Sequence, residues 1–433
     1  MTLCLGPGCD PAEPNDPSAG DTDPTRGGST DTGTTSGDDS TDGADSTDGT
    51  ATTDTTDTTD TTGTSTGDMS CDVLPDEVSA DLTVGPGCVT MGQTHIRDGA
   101  HLEFVDGTTV YVLADGFLDA GGGFSTPGRL TADHTVFTSA AEMPAPGDWG
   151  CIALGEDSVL DSVTIEFAGA PCGVNGLGMT TGLYIDGPNE RVTASILDSA
   201  GHGLIMGNNA AITGEEESAF LFNGNALPSV NTTADAVLEV GPSVFEDFDD
   251  DYILIASGGR IDGQGTLHYQ NVPYVVDGHL NIGGAGVGEV EVFVEPGVEI
   301  QMLGESIEVH ADTTLTVQGV GNDPVVITSA ADRPAPGDWG CVYSSGSEPF
   351  SMQHVVFEYG GGGDTCDGNA FEAELAEVPD ASVILDCTFR ESAGAGISGA
   401  FGVCSPDWCD NTFEDNAGSD IDCPGSDPAS LSC

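Results

Sequence analysis

Carboxylates at short spacing, a duplicated Asp-Trp pair and a set of cysteines are the residues of this chain that could do chemistry. "FEDFDDDY", from Phe245 to Tyr252, places Asp247, Asp249 and Asp251 at alternating positions. On a strand the three would share one face, and on a loop they could wrap a cation. Hard carboxylate oxygens suit Ca²⁺, so Ca²⁺ is the one cofactor the sequence suggests, and these aspartates are its expected ligands. The EF-hand glycine is absent, and the plainer reading is a solvated acidic turn. "SAAEMPAPGDWGC" (Ser139–Cys151) and "SAADRPAPGDWGC" (Ser329–Cys341) repeat nearly the same residues. Each offers an acid beside an indole, Asp148 with Trp149 and Asp338 with Trp339, which could contact a sugar ring. Glu166 and Glu358 also match between copies and could form an acid/base pair of the glycosidase kind. They sit at outward positions, since Val163, Ile165 and Phe167 should point inward, and they belong to distant segments, so a solvated face explains them better. "GTSTG" (Gly63–Gly67) fits a serine-hydrolase pattern only formally, with no strand before it. The histidines show no HExxH or other ligand spacing. No catalytic residue is assigned.

The elements that must position these residues follow from composition. The chain has 433 residues, 63 Gly, and 73 acids against 7 bases, for a net charge of −66. Every base is Arg, so no P-loop or Schiff-base lysine exists. Such a surface repels nucleic-acid phosphates and anionic lipid, which excludes nucleic-acid binding as a role. Thirteen cysteines without a CxxC pair point to an oxidising, extracytoplasmic compartment rather than to zinc. No stretch approaches the roughly 18 apolar residues that span a bilayer.

Between Asp10 and Asp68 there is no Leu, Ile, Val or aromatic residue. A segment such as "TDGTATTDTTDTTDTTGTSTGD" buries too little apolar surface to offset its ordering entropy, and its charges keep it extended. It reads as a disordered tether. From Cys71 the texture changes to short alternating runs, among them "HLEFVDGTTVYVL", "VTIEFAG" and "EVEVFVEPGVEIQML", cut by Gly, Asp, Asn or Pro. The class is all-β. No convincing amphipathic helix occurs, and the best candidate for one is "NAFEAELAEV" (Asn369–Val378).

The duplication organises the rest. "VFTSAA" (Val136–Ala141) matches "VITSAA" (Val326–Ala331), "VTIEFAG" matches "VVFEYGG" (Val355–Gly361), and "SILDSAGHGL" (Ser195–Leu204) matches "TFRESAGAGI" (Thr388–Ile397). Shorter units of the type "NTFEDNAGSDI" (Asn411–Ile421) recur inside each half. These units resemble the coils of right-handed parallel β-helix proteins of the pectate-lyase-like fold. The resemblance implies a solenoid of stacked coils and leaves the activity open, since such folds host lyases, hydrolases and inert stalks alike. "GHG" (Gly201–Gly203) resembles a motif of polygalacturonase-like hydrolases, but the second copy has Ala395 where the first has His202. A tight corner accounts for both copies. A lyase of the pectate-lyase type needs an Arg or Lys base beside Ca²⁺, and the six Arg beyond the tether are scattered.

The PAPGDWGC block is read as such a corner. Its prolines forbid ladder bonding, Gly147 and Gly337 supply a positive φ, and Asp148 and Asp338 accept backbone N–H groups. Trp149 and Trp339 are expected to cap an apolar edge. Gly150 and Gly340 allow close approach. Each block is followed by one further cysteine at a matching place, so disulfides Cys151–Cys172 and Cys341–Cys366 are expected, with Cys71–Cys88 as a third. Cys387, Cys404, Cys409, Cys423 and Cys433 are expected to staple the C-terminal end, with one thiol left over.

"LGPGC" followed by a polar tether looks like the end of a bacterial lipoprotein signal with Cys9 lipidated. The expected organisation is a signal remnant at 1–17, an acidic linker at 18–68, one β-helix half at 69–265 and a second at 266–433 with a cysteine-rich cap. The expected protein is secreted or tethered to a bacterial outer surface, with membrane contact only through an N-terminal lipid. Its expected role is a non-catalytic structural, adhesive or carbohydrate-contacting module whose partner is a polysaccharide or another cell-surface component. The alternative is a carbohydrate-active enzyme, a polysaccharide lyase or glycoside hydrolase, assisted by Ca²⁺.

Overall fold

The computed structural model describes residues 71–121, 127–174, 178–214, 217–246, 251–345, 350–363, 369, 371–373, 382–399 and 406–423. All lie in one of the two units into which the chain divides, Thr66–Cys433. The expected signal remnant and linker at 1–68, and Cys9 with them, fall outside the described residues.

Gly, Pro and Asp interrupt the chain every few residues, so the strands are short and the backbone turns after each one. Three strands complete a coil. In one coil these are Tyr274–Val276, Leu280–Ile282 and Val290–Val294. In the next they are Glu299–Met302, Ile307–Val309 and Thr313–Gln318. Each strand pairs in parallel with its successor one coil on, as Tyr274 does with Ile300, Leu280 with Ile307 and Val292 with Leu315. The chain is therefore a parallel β-helix. Among the described strands, only Pro171–Cys172 against Met179–Thr180 runs antiparallel.

Period-2 alternation fills the inside of the stack. In Arg191–Leu197, Val192, Ala194 and Ile196 are buried and the residues between them are half-exposed. Like residues stack on like from coil to coil. Phe357 lies on Phe389 at 4.7 Å between ring centroids and Phe389 on Phe413 at 5.6 Å, while Phe222 lies on Phe245 at 4.9 Å. One parallel ladder runs without a break through Leu118–Ala120, Ile152–Leu154, Leu183–Ile185, Leu204–Met206, Val230–Thr232, Ile253–Ile255, Tyr274–Val276 and onward to Thr412–Glu414. It passes straight across positions 265 and 266.

The two copies of the repeat do not occupy the same face of this stack. Val136–Ser139 pairs with Thr109–Val112 and, through Val136 and Phe137, with Thr164 and Ile165. Its counterpart Val325–Ser329 pairs with Glu299–Met302 and Val355–Phe357. Those strands belong to the long ladder, which in the first copy holds Ile152–Leu154, the strand after the corner. The second copy is thus turned by one face relative to the first.

Two local expectations need correction. Phe371–Ala373, inside the helix candidate, is a strand, because Phe371 stacks in register between Val342 and Ile397. Phe167 does not continue the inward alternation of Val163 and Ile165. The chain turns there, with Phe167 at φ 62° and its counterpart Tyr359 at φ 63°, and both rings are half-buried.

Candidate functional site

The duplicated corner is built the same way twice. Gly147 and Gly337 hold φ of 83° and 86°, a region open to glycine at no steric cost. Asp148 Oδ2 accepts the Ser139 hydroxyl at 2.5 Å and the Ala145 N–H at 3.0 Å. Asp338 Oδ2 accepts the Ser329 hydroxyl and the Ala335 N–H, both at 2.8 Å. The N–H groups of Gly147 and Asp148 converge on the Phe167 carbonyl at 3.1 Å each, and those of Gly337 and Asp338 on the Tyr359 carbonyl at 3.0 and 3.1 Å. Close approach at the last glycine is required, since a Cβ on Gly340 would lie 1.9 Å from Ser306 Oγ.

Trp149 and Trp339 are 0 % exposed, and they donate their indole N–H to the carbonyls of Glu166 and Glu358. They belong to the core and cap no edge. A sugar ring cannot stack on a buried indole, so the pairs Asp148–Trp149 and Asp338–Trp339 form locks between coils and not a sugar platform. Glu358 is more than a solvated acid, because its carboxylate is paired with Arg390 and accepts the Thr328 hydroxyl at 3.0 Å.

Cys71–Cys88 and Cys151–Cys172 are bonded, and Cys341, Cys409 and Cys423 are also in disulfides. Cys366, Cys404 and Cys433 lie outside the described residues. Among the described cysteines the free thiol is Cys387, buried against the carbonyls of Met352 and Leu385, and burial pushes it up to about 11. Cys409 ends a short echo of the repeat that is folded differently, as a 3-10 helix over Pro406–Asp410 whose indole N–H makes no hydrogen bond among the described residues. "PDWC" (Pro406–Cys409) keeps the order Asp, Trp, Cys, and its Trp408 is fully buried as well.

Of the expected Ca²⁺ ligands, Asp247 and Asp249 fall outside the described residues. Asp251 is turned toward the previous coil. Its Oδ1 accepts the N–H groups of Ser229 and Tyr252 at 2.8 Å each, and its Oδ2 accepts the Ser229 hydroxyl. Among the described residues no group of three His, Cys, Asp or Glu is arranged to hold a metal. His202 is occupied, with Nδ1 on the Pro228 carbonyl at 2.7 Å and Nε2 beside the Asn231 amide at 3.3 Å. Arg97, Arg191, Arg260 and Arg390 each lie against a carboxylate, so none of them stands apart as a base for lyase chemistry.

Two arrangements on the outside of the stack were not visible in the sequence. In the first, His95 Nδ1 lies 3.0 Å from Asp119, whose carboxylate is fully buried and also accepts the Gly121 N–H. The second is a cleft of about 130 Å³ lined by Glu217, Ser218, Glu239 and His268. The Ser218 hydroxyl donates to the Glu239 carbonyl and fixes the cleft wall. Glu239 Oε2 accepts the Ile212 N–H at 2.8 Å, yet burial still raises the pKa of the carboxyl above the ordinary range. His268 is 8 % exposed, with Nε2 3.8 Å from Glu217 Oε1 and Nδ1 3.3 Å from Glu295 Oε1. A carboxyl with a raised pKa beside an imidazole in a cleft is what a binding or proton-transfer site requires, and it makes this the candidate site of the described surface.

Residues 267–354 match the family model of the pectate-lyase like beta helix domain. No curated protein and no solved structure matches the chain. The matched segment contains His268 of the cleft, Glu295 beside it and the whole second PAPGDWGC corner.

Proposed function

We propose that this pectate-lyase-like β-helix works outside the cytoplasm as a non-catalytic module, which its acidic N-terminal segment holds away from a surface and which contacts a polysaccharide there. The observation that carries the reading is the fate of the duplicated corner. Its acids and indoles, the most promising chemistry of the sequence, are consumed in holding one coil to the next. Bonded cysteines in seven described positions beside one buried thiol fit an oxidising compartment. A long stack with little else built into it suits a spacer or an adhesive surface.

The test is to incubate the full chain with a panel of neutral, basic and acidic polysaccharides, with Ca²⁺ or with chelator, and to measure both retention of the protein and release of reducing ends. Retention on one of them without release is the expected result. Release that disappears in an E239Q variant would replace this reading by the second one. That second reading, a carbohydrate-active enzyme, is favoured by one observation, the raised pKa of Glu239 beside Glu217 and His268.

A further inference from the structure

The cleft between Glu217, Glu239 and His268 poses a problem of donors and acceptors. His268 Nδ1 is directed at Glu295 Oε1 at 3.3 Å, and Glu295 Oε2 is already fixed by the Tyr269 N–H at 2.7 Å. With the ring proton on the Glu295 side, Nε2 presents a lone pair to the cleft. Glu217 Oε1 faces that lone pair at 3.8 Å, beyond hydrogen-bond reach. Glu239 has one oxygen on the Ile212 N–H, and no bond to its other oxygen occurs among the described residues. Three acceptors therefore border one cleft, and on the buried ring of His268 the Nδ1 atom has no partner of good hydrogen-bond geometry.

An ammonium group carries three donors and one positive charge, and it satisfies three such acceptors at once. The cleft, about 130 Å³ and open to solvent on one side, has room for the amine and adjoining atoms of a sugar. A carboxylate or phosphate is repelled by the local acids and by the chain's net charge of −66, which draws cations in. The chain contains no lysine of its own to compete for the position. We propose that Glu217, Glu239 and His268 bind the primary ammonium of an amino sugar. This rests on the polysaccharide-contacting reading above and names the sugar class for it.

The experiment is calorimetric titration of the full chain with a glucosamine trimer, its N-acetylated form, a galacturonate trimer and trilysine. Binding of the glucosamine trimer alone is expected, weakening as salt is raised. Loss of one charge-assisted bond should weaken it roughly tenfold in E217Q and again in E239Q. Glu217 has a side chain 65 % exposed, so E217Q tests the site without altering buried structure. Equal binding of the acetylated trimer, an E217Q variant that binds as tightly as the parent, or equal binding of trilysine would each overturn the proposal. Absence of any glucosamine binding by a chain still retained on a neutral polysaccharide would overturn it while leaving the broader reading intact.

Discussion

Trp149 donates its indole N–H to the carbonyl of Glu166 at 2.8 Å, across 17 positions of sequence and one coil of structure. Trp339 does the same to Glu358 at 2.7 Å across 19 positions. Each bond ties a proline-rich corner to the coil that follows, and the residue after each acceptor takes a left-handed backbone conformation so that its own carbonyl meets two more N–H groups of the corner. For Phe167 and Tyr359 that conformation is sterically unfavourable and persists because the corner over-determines it.

Trp149→Ala should destabilise the fold by about 3–5 kcal/mol, the cost of a large cavity in a packed core. Trp149→Phe should cost less, about 1–3 kcal/mol, largely from the orphaned Glu166 carbonyl. Equilibrium denaturation measures both. The same pair at Trp339 should give similar losses, and the double variant should be close to additive, since the two locks share no partner. Effects confined to one copy would mean that the two corners are not equivalent.

Removing the Cys151–Cys172 bridge as a Ser/Ser double variant should lower stability by roughly 3 kcal/mol in the loop-entropy account, for a sequence separation of 21. The bridge also belongs to a small apolar cluster outside the stack, with Phe117, Val174 and Tyr184. Near-ultraviolet circular dichroism should therefore report a local change of Tyr184 even at temperatures where the β-helix is intact.

Cys387 should resist alkylation in the native protein at pH 8 and react once the chain is denatured. Burial holds the thiol at about 11, so almost none of it is thiolate at that pH. Peptide mapping after iodoacetamide treatment locates the label. Rapid native labelling at this position would show that the surrounding coils open readily.

Glu239 sets a dependence on pH. Its folded pKa is raised by burial, so the contribution of its protonated form is complete below the ordinary carboxylate range and is lost as pH rises through the raised value. Glu239→Gln keeps a neutral group there at all pH values. The variant should gain in thermal midpoint over the parent near neutral pH, and the gain should shrink toward zero in mild acid. A constant offset across pH would show that Glu239 does not titrate in the folded range.

The fold was largely legible because the information is local and repeated. Alternation in short runs, glycine-rich punctuation and two copies of one block specify a stack, and matching cysteines locate a bridge. Which way a residue points at a turn was not legible. Phe167 follows Val163 and Ile165 in the inward series, yet the backbone reverses at that position and leaves the ring half-buried. Trp149 sits in a proline-rich segment that reads as surface and is buried because the corner folds back on the next coil. The cleft was hidden for a different reason. Glu217, Glu239, His268 and Glu295 come from four successive coils of unequal length, so no fixed spacing connects them, and each stands alone in a strongly acidic chain.

The offset between the two copies has a consequence for how the surface is displayed. Cys151 and Cys341 are 190 positions apart, 341 − 151 = 190, and the operation relating their surroundings combines an advance along the stack with a turn of one face. That is screw symmetry, not simple translation. The repeated stretch therefore spans a non-integral number of turns, and equivalent loops project in different directions. A rigid planar ligand that docks against "AEMPAP" in the first copy cannot meet "ADRPAP" in the second from the same side, whereas a strand that winds about the axis can touch both.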